Sequence, residues 1–406
     1  MTETVRPDLN RVLAVHPLVY LTEGDEVTIG RADTDTYAIF PLDGAAIVRR
    51  LADGSSPAEV SRWYEAEYGE RVDIGDVIEA LDELGFLRGT TDQETGPAGV
   101  RWQRTGRILF SPVALGLYAL LVGWAAVAMT GSGDLVPTYD SLFYTSYYSV
   151  IEITLIVGVL PLLLAHEAFH ALAGRRLGVR SRLRISRRLY MVVLETSLDG
   201  LVAVPRKKRY LPILAGLLFD VVALAALVVL ADLTRAPTGD LSFLGRLCMA
   251  LAFTTVLRIV WQFSFYLRTD LYTLITTALG CVDLHTASTR TLANRANRLL
   301  GRTDRIIDPA QWHPVDRRVA RWYSWLVLVG YAFTLATLVL ALLPILWRTA
   351  NGVLGRLTGD GTATTAELVD SVVLISLTTA QIGASIWIGA RERRRARASA
   401  YRHVIA

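Results

Sequence analysis

Two histidines and a glutamate in one short stretch are the residues of this chain best suited to metal chemistry. His166, Glu167 and His170 form an H-E-x-x-H pattern near the end of an apolar run that begins near Val150. On a helix, residues i and i+4 lie on one face, so both imidazoles could bind a single ion, with Glu167 beside it as a general base. Ionisable groups are costly in an apolar segment, which favours this role over two histidines merely satisfied by neighbouring helices.

A catalytic zinc site needs three protein ligands and an open position, so a third ligand must come from elsewhere. Asp270 directly follows a later apolar run and matches the histidines in depth, although it could instead be an exposed partner of Arg268. Asp220, inside another apolar run, is the second candidate; otherwise it would be a polar anchor between helices. Weaker candidates are Asp283 and His285, which we expect in a loop, and Glu195 and Asp199, which lie between runs. We predict one Zn²⁺ per chain, bound by His166, His170 and Asp270.

Six apolar runs are the elements that must position these residues. We predict membrane-spanning helices at about 107–129, 149–173, 209–231, 243–267, 323–347 and 366–390. A hydrophobic content of 52% is higher than an ordinary soluble protein of 406 residues would have. The predicted fold class is a polytopic α-helical membrane protein of about six transmembrane helices, with a small N-terminal α+β winged-helix domain.

The basic residues are concentrated in alternate connections between the runs. Residues 175–209 carry eleven Arg and Lys, whereas residues 130–148 carry none. By the positive-inside rule, both termini lie in the cytoplasm, and the histidines lie within about three helical turns of the cytoplasmic face. Residues 1–100 carry 8 Arg and 20 acidic residues, a net charge of −12, and no apolar signal-peptide segment.

The first 90 residues have the pattern of a small winged-helix domain. The apolar run at 18–21 and the alternating apolar residues Val27 and Ile29 flank a turn and predict a hairpin. A capping box predicts a helix that starts after Ser56, and another helix is expected between Asp73 and Gly85. That last helix carries five acidic residues and no basic one, which excludes nucleic acid as a partner. Binding of a peptide as an added strand fits these charges better.

Residues from about 37 to 88 resemble the PqqD-like peptide-recognition domains of systems that modify ribosomally made peptides. The matching residues are Leu42–Ala45, Leu51–Gly54, Tyr68–Gly69, Asp76–Val77 and Leu84–Leu87. The resemblance implies that residues 1–90 hold the leader of a precursor peptide. Residues 91–106 would then be a linker and residues 107–398 the membrane domain. A generic winged helix that caps the membrane domain is the alternative.

Residues from about 149 to 285 resemble the site-2-protease family of intramembrane zinc metalloproteases. The matching segments are His166–His170, Pro205–Tyr210, Ala215–Gly216 with Asp220, and Arg268–Tyr272. The last segment is similar to an Arg-x-Asp-Gly-Tyr sequence that supplies the third ligand in a bacterial peptide-maturation branch, and daptide-type proteases are a narrower match. The chain departs from the pattern at three places: Leu271 replaces Gly, Ser264-Phe265 replaces Asn-Pro, and Leu217 replaces Pro.

The resemblance implies a zinc metalloendopeptidase of the bacterial inner membrane that removes the leader from a ribosomally synthesised precursor peptide. Glu167 would be catalytic, and His166, His170 and Asp270 would bind the zinc. Expected partners are the precursor peptide, the lipid bilayer and other biosynthetic enzymes. Two alternatives stay open: a regulated intramembrane protease that cuts a membrane-bound signalling protein, and a non-catalytic membrane scaffold for immunity or export.

Overall fold

The computed structural model of the chain describes residues 9–31, 33–34, 36–89, 99–188, 191–359 and 363–405, with side chains except at 184–188, 191–195, 199 and 392–405. Two compact units make up the chain, and each combines segments that are distant in the sequence. The first unit comprises residues 1–108, 171–182 and 197–212. The second comprises residues 109–170, 183–196 and 213–406.

The first unit contains an antiparallel sheet of three strands followed by three helices. The elements are β1 (Val19–Glu23), β2 (Glu26–Arg31), β3 (Thr36–Pro41), α1 (Leu42–Ala52), α2 (Pro57–Tyr68) and α3 (Ile74–Glu83). The strand order is β1-β2-β3, with Val19 opposite Gly30 and Glu26 opposite Pro41. The sequence interpretation missed β3, because no residue of this strand is fully buried and its hydrophobic alternation is weak.

Side-chain caps begin two of these helices where the sequence predicted them. Ser56 accepts a hydrogen bond from the backbone of Glu59, whose carboxylate accepts one in return from the backbone of Ser56. Asp73 accepts from the first backbone N–H groups of α3. The core beneath them is fully buried and includes Ile29, Leu51, Leu81 and Phe86.

Ion pairs attach the sheet of the first unit to residues 197–212, which belong to the same unit. Glu23, the last residue of β1, accepts a hydrogen bond from the backbone N–H of Arg206 at 2.7 Å. Its other oxygen pairs with the guanidinium of Arg209 at 2.8 Å. Arg209 also donates to the backbone carbonyls of Val202 and Val204. The segment that leads into the third apolar helix is therefore fixed to the N-terminal sheet.

Helices dominate the rest of the chain. They are α4 (Gln103–Leu109), α5 (Pro112–Gly131), α6 (Tyr148–Arg176), α7 (Arg206–Leu233), α8 (Phe243–Trp261), α9 (Asp270–Leu279), α10 (Leu284–Leu299), α11 (Pro314–Thr337), α12 (Leu343–Thr358) and α13 (Thr365–Ile405). A π-helical turn, Leu338–Leu342, joins α11 to α12. Two strands between α6 and α7, β4 (Arg182–Arg188) and β5 (Met191–Ser197), form a separate sheet.

In the part of the chain that the structure describes, six helical segments are long and apolar enough to cross a membrane. They are Pro112–Gly131, Tyr148–Arg176, Arg206–Leu233, Phe243–Trp261, Pro314–Thr358 and Thr365–Arg391. Apolar side chains face outward on the peripheral helices, as Leu120 and Val127 do on α5. The helices α7 and α8 are more enclosed and share a core that includes Val228 and Met249. Outward-facing apolar side chains suit an environment of lipid. The number of these segments agrees with the predicted number of spans.

Three sequence predictions around the fourth and fifth spans were wrong in detail. The fourth span ends at Trp261 rather than at 267. The chain turns at Gln262, whose backbone carbonyl accepts a hydrogen bond from the hydroxyl of Thr269. Asp283 and His285 do not lie in a loop, since Asp283 caps α10 and His285 belongs to that helix. The fifth span is longer than predicted and runs without a break from Pro314 to Thr358.

A buried carboxylate joins three helices at the N-terminus of α6. Asp370, on α13, accepts hydrogen bonds from the backbone N–H groups of Tyr148 and Ser149 at 2.8 and 2.9 Å. Arg356, on α12, donates to the same carboxylate at 2.9 Å. The Asp370 side chain is 3% exposed, so all of these bonds form away from water.

Exchanging Asp370 for Ala should therefore destabilise the fold by about 3 kcal/mol, because the backbone N–H groups at the start of α6 lose their buried acceptor and Arg356 loses its nearest carboxylate. Thermal and denaturant unfolding of the purified chain in detergent measures this loss. The control is Asp140→Ala, which removes an exposed ion pair with Arg348 and should cost less than about 1 kcal/mol. Equal effects of the two substitutions would contradict the role given to Asp370.

Candidate metal centre

The two histidines of the H-E-x-x-H pattern face each other on one side of α6. His166 and His170 are one helical turn apart, and their Nε2 atoms are separated by 3.2 Å. Both side chains are buried, with 5% and 7% of their surface exposed. Phe169 anchors this turn of the helix, since its ring packs against Phe110 and Phe219. The pair is therefore held rigidly in an apolar environment.

Asp270 completes a group of three ligands. It is the first residue of α9, and its Oδ2 atom lies 3.2 Å from Nε2 of His170 and 3.5 Å from Nε2 of His166. Ligands about 2.0–2.1 Å from a tetrahedral zinc ion lie about 3.3 Å from one another. The three observed separations, 3.2 to 3.5 Å, match this value, and the donor set of two imidazoles and one carboxylate suits zinc. Among the described residues, these three form the group that could hold a metal ion.

Gln262 fixes the position of Asp270. Its side-chain amide donates to Oδ2 of Asp270 at 3.1 Å, and its carbonyl oxygen accepts from the backbone N–H of Asp270 at the same distance. Thr269 caps α9 and donates to the backbone carbonyl of Gln262. Burial alone would raise the pKa of the Asp270 carboxyl, but its hydrogen bonds with the two imidazoles lower that pKa below its usual value. The two imidazoles therefore favour the ionised form of this carboxylate.

The loop from Gln262 to Thr269 is braced by α11. The hydroxyl of Tyr323 donates to the carbonyl of Phe265 at 3.0 Å, and the rings of Tyr266 and Tyr331 stack at 4.1 Å. Gly330 allows the close approach, because a Cβ there would press on the backbone nitrogen of Phe265. The loop that contains Ser264-Phe265, where the chain differs from the site-2-protease pattern, is thus firmly packed. Asp270 lies beside the histidines despite this difference.

Asp220 lies on the opposite side of the His166 ring. Its Oδ2 atom is 3.0 Å from Nδ1 of His166, while its Oδ1 atom accepts a hydrogen bond from Arg258. Asp220 is completely buried. A carboxylate on the second ring nitrogen of a metal-binding histidine fixes the tautomer and the ring orientation. Of our two candidates for the third ligand, Asp270 is therefore the one beside both Nε2 atoms, and Asp220 positions His166.

Glu167 is held by the strand β5. The backbone N–H of Thr196 donates to Oε2 of Glu167 at 2.7 Å, and the Thr196 hydroxyl donates to the Glu167 carbonyl at 2.9 Å. The glutamate is 8% exposed. Thr196 was not predicted, because it lies 29 residues away in a basic connection and no sequence pattern links it to the H-E-x-x-H residues. Gln262 was not predicted either, because no pattern links it to Asp270.

Gly216 provides the space for the ligand group. A Cβ atom built on this residue of α7 would fall on the Nε2 atoms of both His166 and His170. Any larger residue would therefore occupy the volume between α7 and the histidines. Ala215–Gly216 is one of the segments that match the site-2-protease pattern. In the structure, the missing side chain of Gly216 leaves room for the two imidazoles.

The other candidate ligands do not join the group. Asp283 accepts a hydrogen bond from Thr286 as the cap of α10. The backbone N–H of His285 donates to the hydroxyl of Tyr272, and its ring lies edge-on to that tyrosine at 6.3 Å. The side chains of Glu195 and Asp199 lie outside the described part of the chain.

Comparison of the chain with known protein families, with curated proteins and with solved structures finds no match.

Exchanging Gly216 for Ala should remove bound metal without unfolding the chain, because the added methyl group occupies the space in front of both Nε2 atoms. Metal per chain, measured by inductively coupled plasma mass spectrometry, should fall to the level of an Asp270→Ala variant. The matched control is Gly123→Ala on α5, where an added Cβ meets no atom within 4 Å. Full metal content in the Gly216 variant would contradict the assigned position of the ion.

Exchanging Asp220 for Asn should weaken metal affinity by about 10 to 100-fold without abolishing binding, because the substitution perturbs the orientation of His166 and leaves all three ligands in place. Competition with a chromophoric chelator measures the affinity. If Asp220→Asn abolished binding while Asp270→Ala retained it, the roles of the two carboxylates would be reversed.

Proposed function

We propose that this chain is a zinc-dependent endopeptidase that works within a membrane. The observation that carries the proposal is the group of two histidines and Asp270 at separations that suit tetrahedral zinc, with a buried glutamate next to His166. This group stands on a helix that is apolar and long enough to cross a bilayer. An H-E-x-x-H pattern with such a third ligand is typical of zinc peptidases.

Glu167 is the residue proposed to move protons. Zinc, when bound, would polarise a peptide carbonyl and lower the pKa of a nearby water molecule. Glu167 would accept a proton from the attacking water and return it to the leaving amine. The hydrogen bond from Thr196 to Oε2 fixes the carboxylate and leaves Oε1 as the proton acceptor.

The buried position of the centre limits the form of the substrate. His166, Glu167 and His170 are each more than 90% buried, so a peptide must reach them as a narrow chain. A carbonyl within a helix is hydrogen-bonded and sterically covered. The proposed substrate segment is therefore extended or locally unwound at the cleaved bond.

The N-terminal sheet supports a precursor peptide as the substrate. Its two edge strands, β1 and β3, each have an exposed apolar side chain, Val19 and Ile39, which an added peptide strand could cover. We propose that residues 1–90 form a PqqD-like winged-helix domain that holds the leader of a ribosomally synthesised precursor. The membrane centre would remove that leader on the cytoplasmic side of a bacterial inner membrane, where positive-inside counting puts both termini.

A regulated protease that cuts a membrane-bound signalling protein is the second candidate. It would share the whole metal centre and differ only in what the N-terminal unit binds. Titration of the full-length chain with synthetic leader peptide separates the two functions. Saturable binding of the leader supports peptide maturation, whereas capture of a membrane-bound protein together with no leader binding supports signalling.

Exchanging Glu167 for Gln should lower peptide cleavage by about 100-fold or more, because the variant retains its shape but loses the proton acceptor. Cleavage is followed by mass spectrometry with the chain reconstituted in vesicles and a synthetic precursor peptide as substrate. Zinc content and leader binding should be unchanged. The matched control is Glu152→Gln on the same helix, which alters a hydrogen bond with Gln381 far along α6 and should leave the rate unchanged.

Processing at the normal rate by the Glu167→Gln variant would refute the catalytic assignment. Absence of zinc from the wild-type chain would instead favour a non-catalytic scaffold. Leu271 and Ser264-Phe265, which differ from the site-2-protease pattern, are the sequence features that favour this alternative.

A further inference from the structure

A second built site lies outside the metal centre, between α10 and the start of α11. There the structure forms a pocket of about 570 Å³. Its lining includes Asn294, Arg295, Arg298, Trp312, Arg317 and Arg321. The helical period explains the cluster, because Asn294 and Arg298 are four residues apart on α10, as are Arg317 and Arg321 on α11. Four arginines thus line one cavity.

No acidic residue lines this pocket in the described part of the chain. The two nearest aspartates in the sequence are engaged elsewhere: Asp316 accepts hydrogen bonds from the backbone of Val282 and Asp283, and Asp308 accepts one from Ala310. Four like charges around one cavity repel each other, so the site as built favours an anion.

Hydrogen bonds fix two of the lining residues, whereas Arg298, Arg317 and Arg321 are exposed and accessible to a ligand. The side chain of Asn294 exchanges two hydrogen bonds with the backbone of Ile307, at 2.7 and 3.0 Å, and fixes the connection after α10. Arg295 donates to the hydroxyl of Ser324 and to the carbonyl of Arg321, and it stacks on the ring of Trp325.

We propose that this pocket binds the phosphate group of an anionic ligand. Arginine is the side chain best matched to phosphate oxygens, because its planar fork donates two parallel hydrogen bonds. The surroundings favour a phospholipid headgroup as the source. Trp322 and Trp325 are exposed on the first turns of α11, where a membrane-spanning helix begins, and tryptophan in that position lies at the headgroup level. Basic pockets next to membrane helices bind anionic headgroups in the same way.

The test compares two triple variants of the full-length chain with equal loss of charge. The pocket variant is Arg298→Gln, Arg317→Gln and Arg321→Gln. The control variant is Arg290→Gln, Arg302→Gln and Arg318→Gln, three arginines of the same region that do not line the pocket. Binding of phosphatidylglycerol, with uncharged phosphatidylcholine as reference, is measured by native mass spectrometry in detergent. Inorganic phosphate and glycerol phosphate are titrated separately by calorimetry.

The pocket variant should bind phosphatidylglycerol about 100-fold more weakly, since each arginine beside an anionic headgroup contributes roughly a factor of five. The control variant should change by less than about fivefold. Loss of phosphatidylglycerol binding alone assigns the site to a lipid, and a parallel loss of glycerol phosphate binding assigns it to a soluble phosphate compound. If the triple variant aggregates, Arg298→Gln alone should still lower the affinity about fivefold. Equal losses in both triple variants, or no binding of any of these probes by the wild type, would overturn the proposal.

Discussion

The constraint on which the rest of the structure depends is the approach of three ligand atoms from two distant parts of the chain. One helical turn of α6 brings the two histidines together, but Asp270 comes from about a hundred residues further along. It reaches them because α8 ends at Trp261 and because Gln262 fixes the backbone and carboxylate of Asp270. Gly216 on α7 keeps the space in front of the imidazoles open. The packing of α6, α7 and α8, and the residue at which α8 ends, therefore determine where the three ligand atoms meet.

This centre requires charged side chains among apolar helices, and the fold pairs them with groups of opposite charge. His166 lies between two carboxylates, one on each ring nitrogen, and the deeper carboxylate of Asp220 is in turn paired with Arg258. Asp370 and Arg356 repeat the same solution at the other end of α6. Isolated charges would cost several kcal/mol each in such surroundings, so these pairs are what allow polar chemistry within helices that are otherwise apolar.

The sequence predicted the parts of this centre that follow a local pattern. The spacing of His166 and His170 put both imidazoles on one face, and the depth of Asp270 was enough to rank it above the other carboxylates. Capping chemistry at Ser56 and Asp73 likewise predicted where two helices begin. What the sequence could not supply were contacts without a period: Thr196 beside Glu167, the amide of Gln262 beside Asp270, and Asp220 as a positioning residue rather than a ligand. The strand β3 was missed because its residues lack the alternation that marks a half-buried strand, and β4 and β5 were missed because the arginines of this connection were interpreted only as an indication of membrane topology.

X-ray absorption spectroscopy at the zinc edge of the purified chain tests the central claim most directly, because it reports the ligands themselves. The proposed zinc site requires one zinc ion per chain with a shell of nitrogen and oxygen atoms only, including two imidazoles at about 2.0–2.1 Å. The imidazole signal should disappear when His166 and His170 are both exchanged for Ala. A shell that contains sulfur, or an unchanged spectrum in the double variant, would contradict the centre described here.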